Sequence, residues 1–146
     1  MWEAIRAGWA ALRTNEADLR YACFWMGLEA IFGATDGTEV TYKLSQRIAF
    51  FLADTPQAAV DLFRKAKKLY ATRSKIIHGR WEHDPEIDAA MADTENLFRI
   101  VLRRLLDSPE LLETFMSKKR DKFLEEFVFS HARSIESAMD PNTSGQ

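Results

Sequence analysis

An all-α bundle of about five to seven helices is the fold this sequence predicts, and three observations predict it. Apolar side chains recur at spacings of three and four along most of the chain, the period of a helix face rather than the alternation of a strand. The pairs Thr55-Pro56, Asp84-Pro85 and Ser108-Pro109 stand where new apolar stripes begin, as capped, proline-led helix starts do. No segment alternates apolar with polar residues, and no internal repeat is visible. At 146 residues the chain is one domain by size, large enough for its own core. The expected organisation is one helical domain over 1–135 and a polar, turn-rich tail over 136–146, disordered by its composition.

Taken in order, Trp2, Ile5, Trp9 and Leu12 mark a first amphipathic helix, with both tryptophans expected in the core. Asn15 reads as the cap of a second helix over 16–32, apolar on nearly every side from Tyr21 to Phe32 and therefore central. Glu29 breaks that run, and a carboxylate there needs a partner. Arg47 is the expected one, with Arg73 behind it, which makes Glu29 and Arg47 structural residues. Gly33 to Thr38 is a turn-forming loop. The third helix, about 39–53, carries Leu44, Ile48, Phe51 and Leu52 on one face beside Arg47. Thr55 caps and Pro56 opens a fourth, running to about His78 with Leu62, Phe63, Ala66, Leu69, Tyr70, Arg73 and Ile76 inward. Gly79 supplies the stop. A long fifth helix after Pro85 has a seam through Ile87, Met91, Thr94, Phe98, Val101 and Leu105. A short sixth follows Pro109. Ser117 caps a seventh, from Lys118 to about Phe129.

Apolar residues at 47% and charged ones at 29% describe an ordinary globular chain. The single Cys23 cannot form an internal disulfide, which fits a reducing compartment. No run approaches the roughly 18 apolar residues of a membrane span, and no signal core follows the N-terminus. A cytoplasmic protein with no membrane contact is expected. A formal charge of −2 argues against a generic nucleic-acid binder, but the charge is unevenly spread. Between Leu62 and Trp81 stand seven basic residues and no acid, leaving 13 basic against 22 acidic residues elsewhere. That is the footprint of a local anion-binding face on an acidic body.

Within the basic stretch, Leu69-Tyr70-Ala71-Thr72-Arg73-Ser74-Lys75-Ile76-Ile77-His78-Gly79 holds an arginine and a histidine separated by four residues. Arg73 brings a permanently charged fork that matches a phosphate, and His78 titrates near neutrality. Together they point to phosphodiester chemistry. Five positions along an ideal helix turn about 500° and rise about 7.5 Å, so the two side chains diverge by about 140°. Convergence needs either a loosened helix end at Gly79 or a second copy. Lys68, Lys75 and Arg80 would draw in a nucleic-acid backbone, and Tyr70 and Trp81 could stack on bases or simply pack. His78, His83, Asp84 and His131 lack a recognised metal-ligand spacing, and no glycine-rich phosphate loop, nucleophile elbow or paired catalytic carboxylates occur. No metal or cofactor is expected.

The order Leu28-Glu29-Ala30-Ile31-Phe32-Gly33, Tyr42-Lys43-Leu44-Ser45-Gln46-Arg47-Ile48-Ala49, Leu62-Phe63 and Tyr70 into Arg73-to-Gly79 resembles the HEPN superfamily, its Apea-like branch above all, from about Trp9 to Leu106. The resemblance implies a helical domain that dimerises. It also implies a metal-independent RNA endonuclease of antiviral or toxin systems, with Arg73 and His78 as the catalytic pair. Ser74, Lys75, Lys68 and Arg80 would then bind RNA, and Glu29, Arg47 and Tyr70 would support the site. Active relatives often carry Asn, Asp or His after the arginine, where this chain has Ser74. In a twofold cleft, transesterification would leave a 2′,3′-cyclic phosphate and a 5′-hydroxyl. An antitoxin or sensor would be the further partner. The alternative is a non-catalytic dimerisation or phosphate-binding module of a larger system.

Overall fold

The structure is a computed structural model that describes residues 1–33, 39–77 and 85–139, with side chains at all of these but 74, 77 and 131–139. Among the described residues there are seven helices and no strand: α1 (Trp2–Arg13), α2 (Ala17–Phe32), α3 (Val40–Leu52), α4 (Pro56–Ile77), α5 (Pro85–Leu106), α6 (Pro109–Met116) and α7 (Arg120–Met139). None of them is long and apolar enough to cross a membrane.

Helix α2 is the axis of the bundle, in contact with α1, α3, α4 and α5. The sequence makes it so: Tyr21, Phe24, Trp25, Leu28, Ile31 and Phe32 lie on three sides of it and are all buried. Its fourth side is open, with Leu19 and Met26 half exposed, so the uniformly apolar run is not uniformly covered. The end of α2 is tied down by two arginines. Arg47 of α3, buried, donates to the Phe32 carbonyl at 2.8 Å, and Arg120 of α7 donates to the Ala30 carbonyl at 2.8 Å. These satisfy carbonyls that the last turn leaves unpaired, and place positive charge at the negative end of the helix dipole. Arg47 is thus a helix-end cap among the described residues, not the Glu29 partner that its register suggested. An aromatic chain through Phe32, Phe51, Phe115 and Phe123 joins α2, α3, α6 and α7, with ring centroids 5.3 to 6.0 Å apart.

Helix α1 departs most from expectation. Its buried face is Ala4, Gly8 and Ala11, while Trp2, Trp9 and Leu12 remain 70%, 62% and 66% exposed. The small residues let the two backbones approach. The Phe98 ring of α5 fills the resulting niche, so close that a Cβ at Gly8 would fall 2.7 Å from its edge and one at Gly27 2.5 Å from it. A tryptophan has no room there, and the large stripe turns outward.

The caps split. Thr55 and Ser108 hydroxyls accept from Ala58 and Leu111 amides as expected. For α2 the expected Asn15 cap is replaced by Glu16, which makes no side-chain cap bond. Helix α7 runs ten residues past Phe129 to Met139, through part of the expected tail. The rest of that tail, 140–146, lies outside the described residues, as does most of the 33–38 turn.

Candidate functional site

The basic helix α4 is docked on α2 by a register that the sequence sets with aromatics. Tyr21 donates its hydroxyl to the Leu69 carbonyl at 2.6 Å, and Trp25 meets the Tyr70 ring edge-on at 5.0 Å. One turn farther along α2, Glu29 then faces Tyr70 and Arg73, which share a face of α4 because they are three residues apart. The three side chains close a triangle. Tyr70 donates to Glu29 Oε1 at 2.8 Å, and Arg73 Nη1 lies 3.1 Å from the same oxygen and donates to the Tyr70 hydroxyl at 3.2 Å. The guanidinium also stands over the Tyr70 ring, 5.5 Å from its centroid.

Burial pushes the Tyr70 phenol above its ordinary value, and the hydrogen bond to Glu29 and the charge it carries push the same way, against a smaller pull from Arg73. At neutral pH the phenol is therefore a donor and not a base. It holds Glu29, and Glu29 holds Arg73. The pair is neither sealed nor free: both side chains are 27% exposed. Arg73 commits only Nη1 to these contacts, and its sequestered Nε finds no acceptor among the described residues. A guanidinium has five N–H donors, and those of Nη2 are left over for an oxyanion.

A trough of about 620 Å³ runs between α1 and α2 and reaches Glu29. Arg6, Ala10, Met26 and Ala30 line it. Glu3 lines it too, so Arg6, which has no carboxylate within ion-pair distance among the described residues, shares the trough with two acids, Glu3 and Glu29. Cys23 lies in the same trough, but burial raises its thiol above the usual range, which makes it a poor nucleophile.

The other expected site residues do not gather at Arg73. Lys68 and Lys75 are exposed and seven residues apart, so they share one stripe of α4. At about 100° per residue that stripe points roughly 150° away from Arg73. These lysines can attract an anion but cannot touch one held by Arg73. Lys65 is already paired with Asp93 of α5 at 2.7 Å. The Ser74 side chain, His78, Arg80, Trp81, His83 and Asp84 lie outside the described residues, so the second half of the R-x4-H motif has no geometry here. Glu29 as the direct partner of Arg73 is the relation that sequence reasoning ranked second. The i, i+3 spacing of Tyr70 and Arg73 opposite a lone acid was the signal for it.

Compared with protein-family models, curated proteins and solved structures, the chain matches none.

Proposed function

We propose that the protein is a homodimeric, metal-independent endoribonuclease in which Arg73 binds the scissile phosphate and His78 moves the proton. The observation that supports this best is the Glu29–Tyr70–Arg73 triangle: a guanidinium aimed by a neutral phenol and a carboxylate, with unused donors, at the end of the most basic helix. Preorganised positive charge of that kind lowers the barrier to a phosphorane-like transition state. In the proposed step a neutral His78 imidazole takes the ribose 2′-hydroxyl proton as O2′ attacks phosphorus. The P–O5′ bond breaks, and the departing oxygen receives a proton from an imidazolium. The products are a 2′,3′-cyclic phosphate and a 5′-hydroxyl. A second copy, seated on the open side of α2 beside the trough, would complete the cleft. Lys68 and Lys75 act at a distance, so cleavage weakens as salt rises. Such an activity suits an antiviral or toxin setting in the cytoplasm.

A second reading has one observation in its favour. Glu29 already sits on Arg73 and reduces the charge a phosphate would meet, as suits a dimerisation or phosphate-binding module without turnover. Incubating the folded protein with total RNA in EDTA separates the two. His78→Ala is expected to lower cleavage by about 10²–10⁴-fold, and Arg73→Lys, which keeps the charge but loses the fork, to lower it as well. Equal cleavage by all forms, or none by a folded wild-type dimer, removes the enzymatic reading.

A further inference from the structure

The outward stripe of α1 is one wall of a groove. Helices α1 and α5 flank it, α6 closes one end, and the trough of about 680 Å³ between them is floored by Phe24, Phe98 and Leu105. Trp2, Ile5, Trp9, Leu12, Leu106 and Met116 line it and are 45% to 70% exposed. At roughly 200 Å² for a large side chain, they present on the order of 700 Å² of apolar surface. The largest patch on an ordinary monomer is about 300–600 Å², and a stable interface takes about 800 Å² from each partner. The patch around the groove is therefore large for a monomer, and it lies on the side of α1 turned away from the trough that reaches Glu29.

The charges decide what fits. Arg99 stands in the α5 wall, and Arg13 lies over the Trp9 ring, 5.6 Å from its centroid. Neither has a carboxylate within ion-pair distance among the described residues. Glu95, the acid in the wall, is already held by Arg20 at 2.7 Å. A chain with more acids than bases has thus left unpaired arginines beside an apolar slot. The slot follows α1, whose 12 residues span about 18 Å, or three helical turns. We propose that this groove takes an acidic amphipathic helix of a partner protein, its apolar i, i+3, i+4, i+7 face on the tryptophans and its carboxylates on Arg13 and Arg99. The exposed amphipathic helix of a second copy, α1 itself, carries Arg6 and Arg13 beside its stripe and would set cations against cations. A flat lipid surface would reach the tryptophans but not the floor.

The probe is a labelled helical peptide of about 16 residues with leucines in that pattern and glutamates flanking them, beside a version with lysines in place of the glutamates. Fluorescence anisotropy with the full chain is expected to show saturable binding of the acidic peptide, at least about tenfold tighter than of the basic one. Arg13→Glu/Arg99→Glu and Trp9→Ala are each expected to weaken it by about tenfold with an unchanged circular dichroism melt, since all three side chains are solvent-facing. Equal binding of both peptides, or of neither, overturns the proposal. So does a wild-type dimer that Trp9→Ala dissolves, which gives the groove to a second copy. Trp9-dependent binding to phosphatidylglycerol vesicles without peptide binding assigns it to a membrane instead. None of these outcomes depends on RNA cleavage.

Discussion

Glu29 carries two hydrogen-bonding relations on one oxygen, and that fixes what its replacement does. In Glu29→Gln the amide oxygen can still accept from Tyr70 and Arg73, but the charge that balances the guanidinium is gone. Removing one member of a part-buried pair costs about 1–3 kcal/mol. Glu29→Gln is expected to lose about 1–2 kcal/mol in urea denaturation while RNA cleavage and its pH profile change little. A catalytic collapse with an unaltered midpoint would make Glu29 a chemical participant instead. The two raised phenols set a second expectation. Tyr21 is pushed up from 10.0 chiefly by burial, with Thr94 and Trp25 facing its oxygen and opposing in part, and Tyr70 chiefly by burial and then by Glu29. Below pH 10 both phenols are neutral in the folded and unfolded chain, and this contribution to stability is fully present. Above it the unfolded chain ionises first, so stability falls as pH rises toward the folded values. Titration at 295 nm should show these two tyrosines ionising above the ordinary phenol range, with cooperative unfolding as they do so. Ordinary titration of all phenols with the melting temperature flat to pH 11 would contradict it.

At the scale of elements, the contact that orders α1, α2 and α5 is one ring between two glycines. Alanine at Gly27 gains about 1 kcal/mol of helix propensity, but its methyl would collide with Phe98, and the ring cannot retreat without striking Gly8. Overpacking typically costs about 1–3 kcal/mol, so Gly27→Ala is expected to destabilise by about 1–2 kcal/mol. Phe98→Leu in the same chain should recover part of that by opening the niche. A stabilised Gly27→Ala would mean that the clasp is slack. This clasp is also why α1 was half legible. Its period announces a helix with a stripe of large apolar residues, yet the stripe of Ala4, Gly8 and Ala11 is the packed one. Helix α7 departs from expectation differently: its apolar residues thin out after Phe129, and with them the periodic signal, although the backbone continues to Met139.

Over the whole molecule, the chain separates two surfaces with α1 between them. One side holds the trough lined by Arg6 and Glu29, with Tyr70 and Arg73 bonded to Glu29 at its edge; the other holds the tryptophan groove. The sequence by itself determined that this is a bundle of helices, where most of them begin, and that positive charge concentrates on α4. Periodicity, proline-led caps and composition are local properties, written within a few turns of one another. The tertiary structure alone decided that Arg47 caps α2, that Arg73 and not Arg47 meets Glu29, and that the tryptophans of α1 point outward. Each of those depends on how closely two backbones approach and on the rotation at which they meet. That is set by glycines, alanines and a ring supplied from elsewhere in the chain.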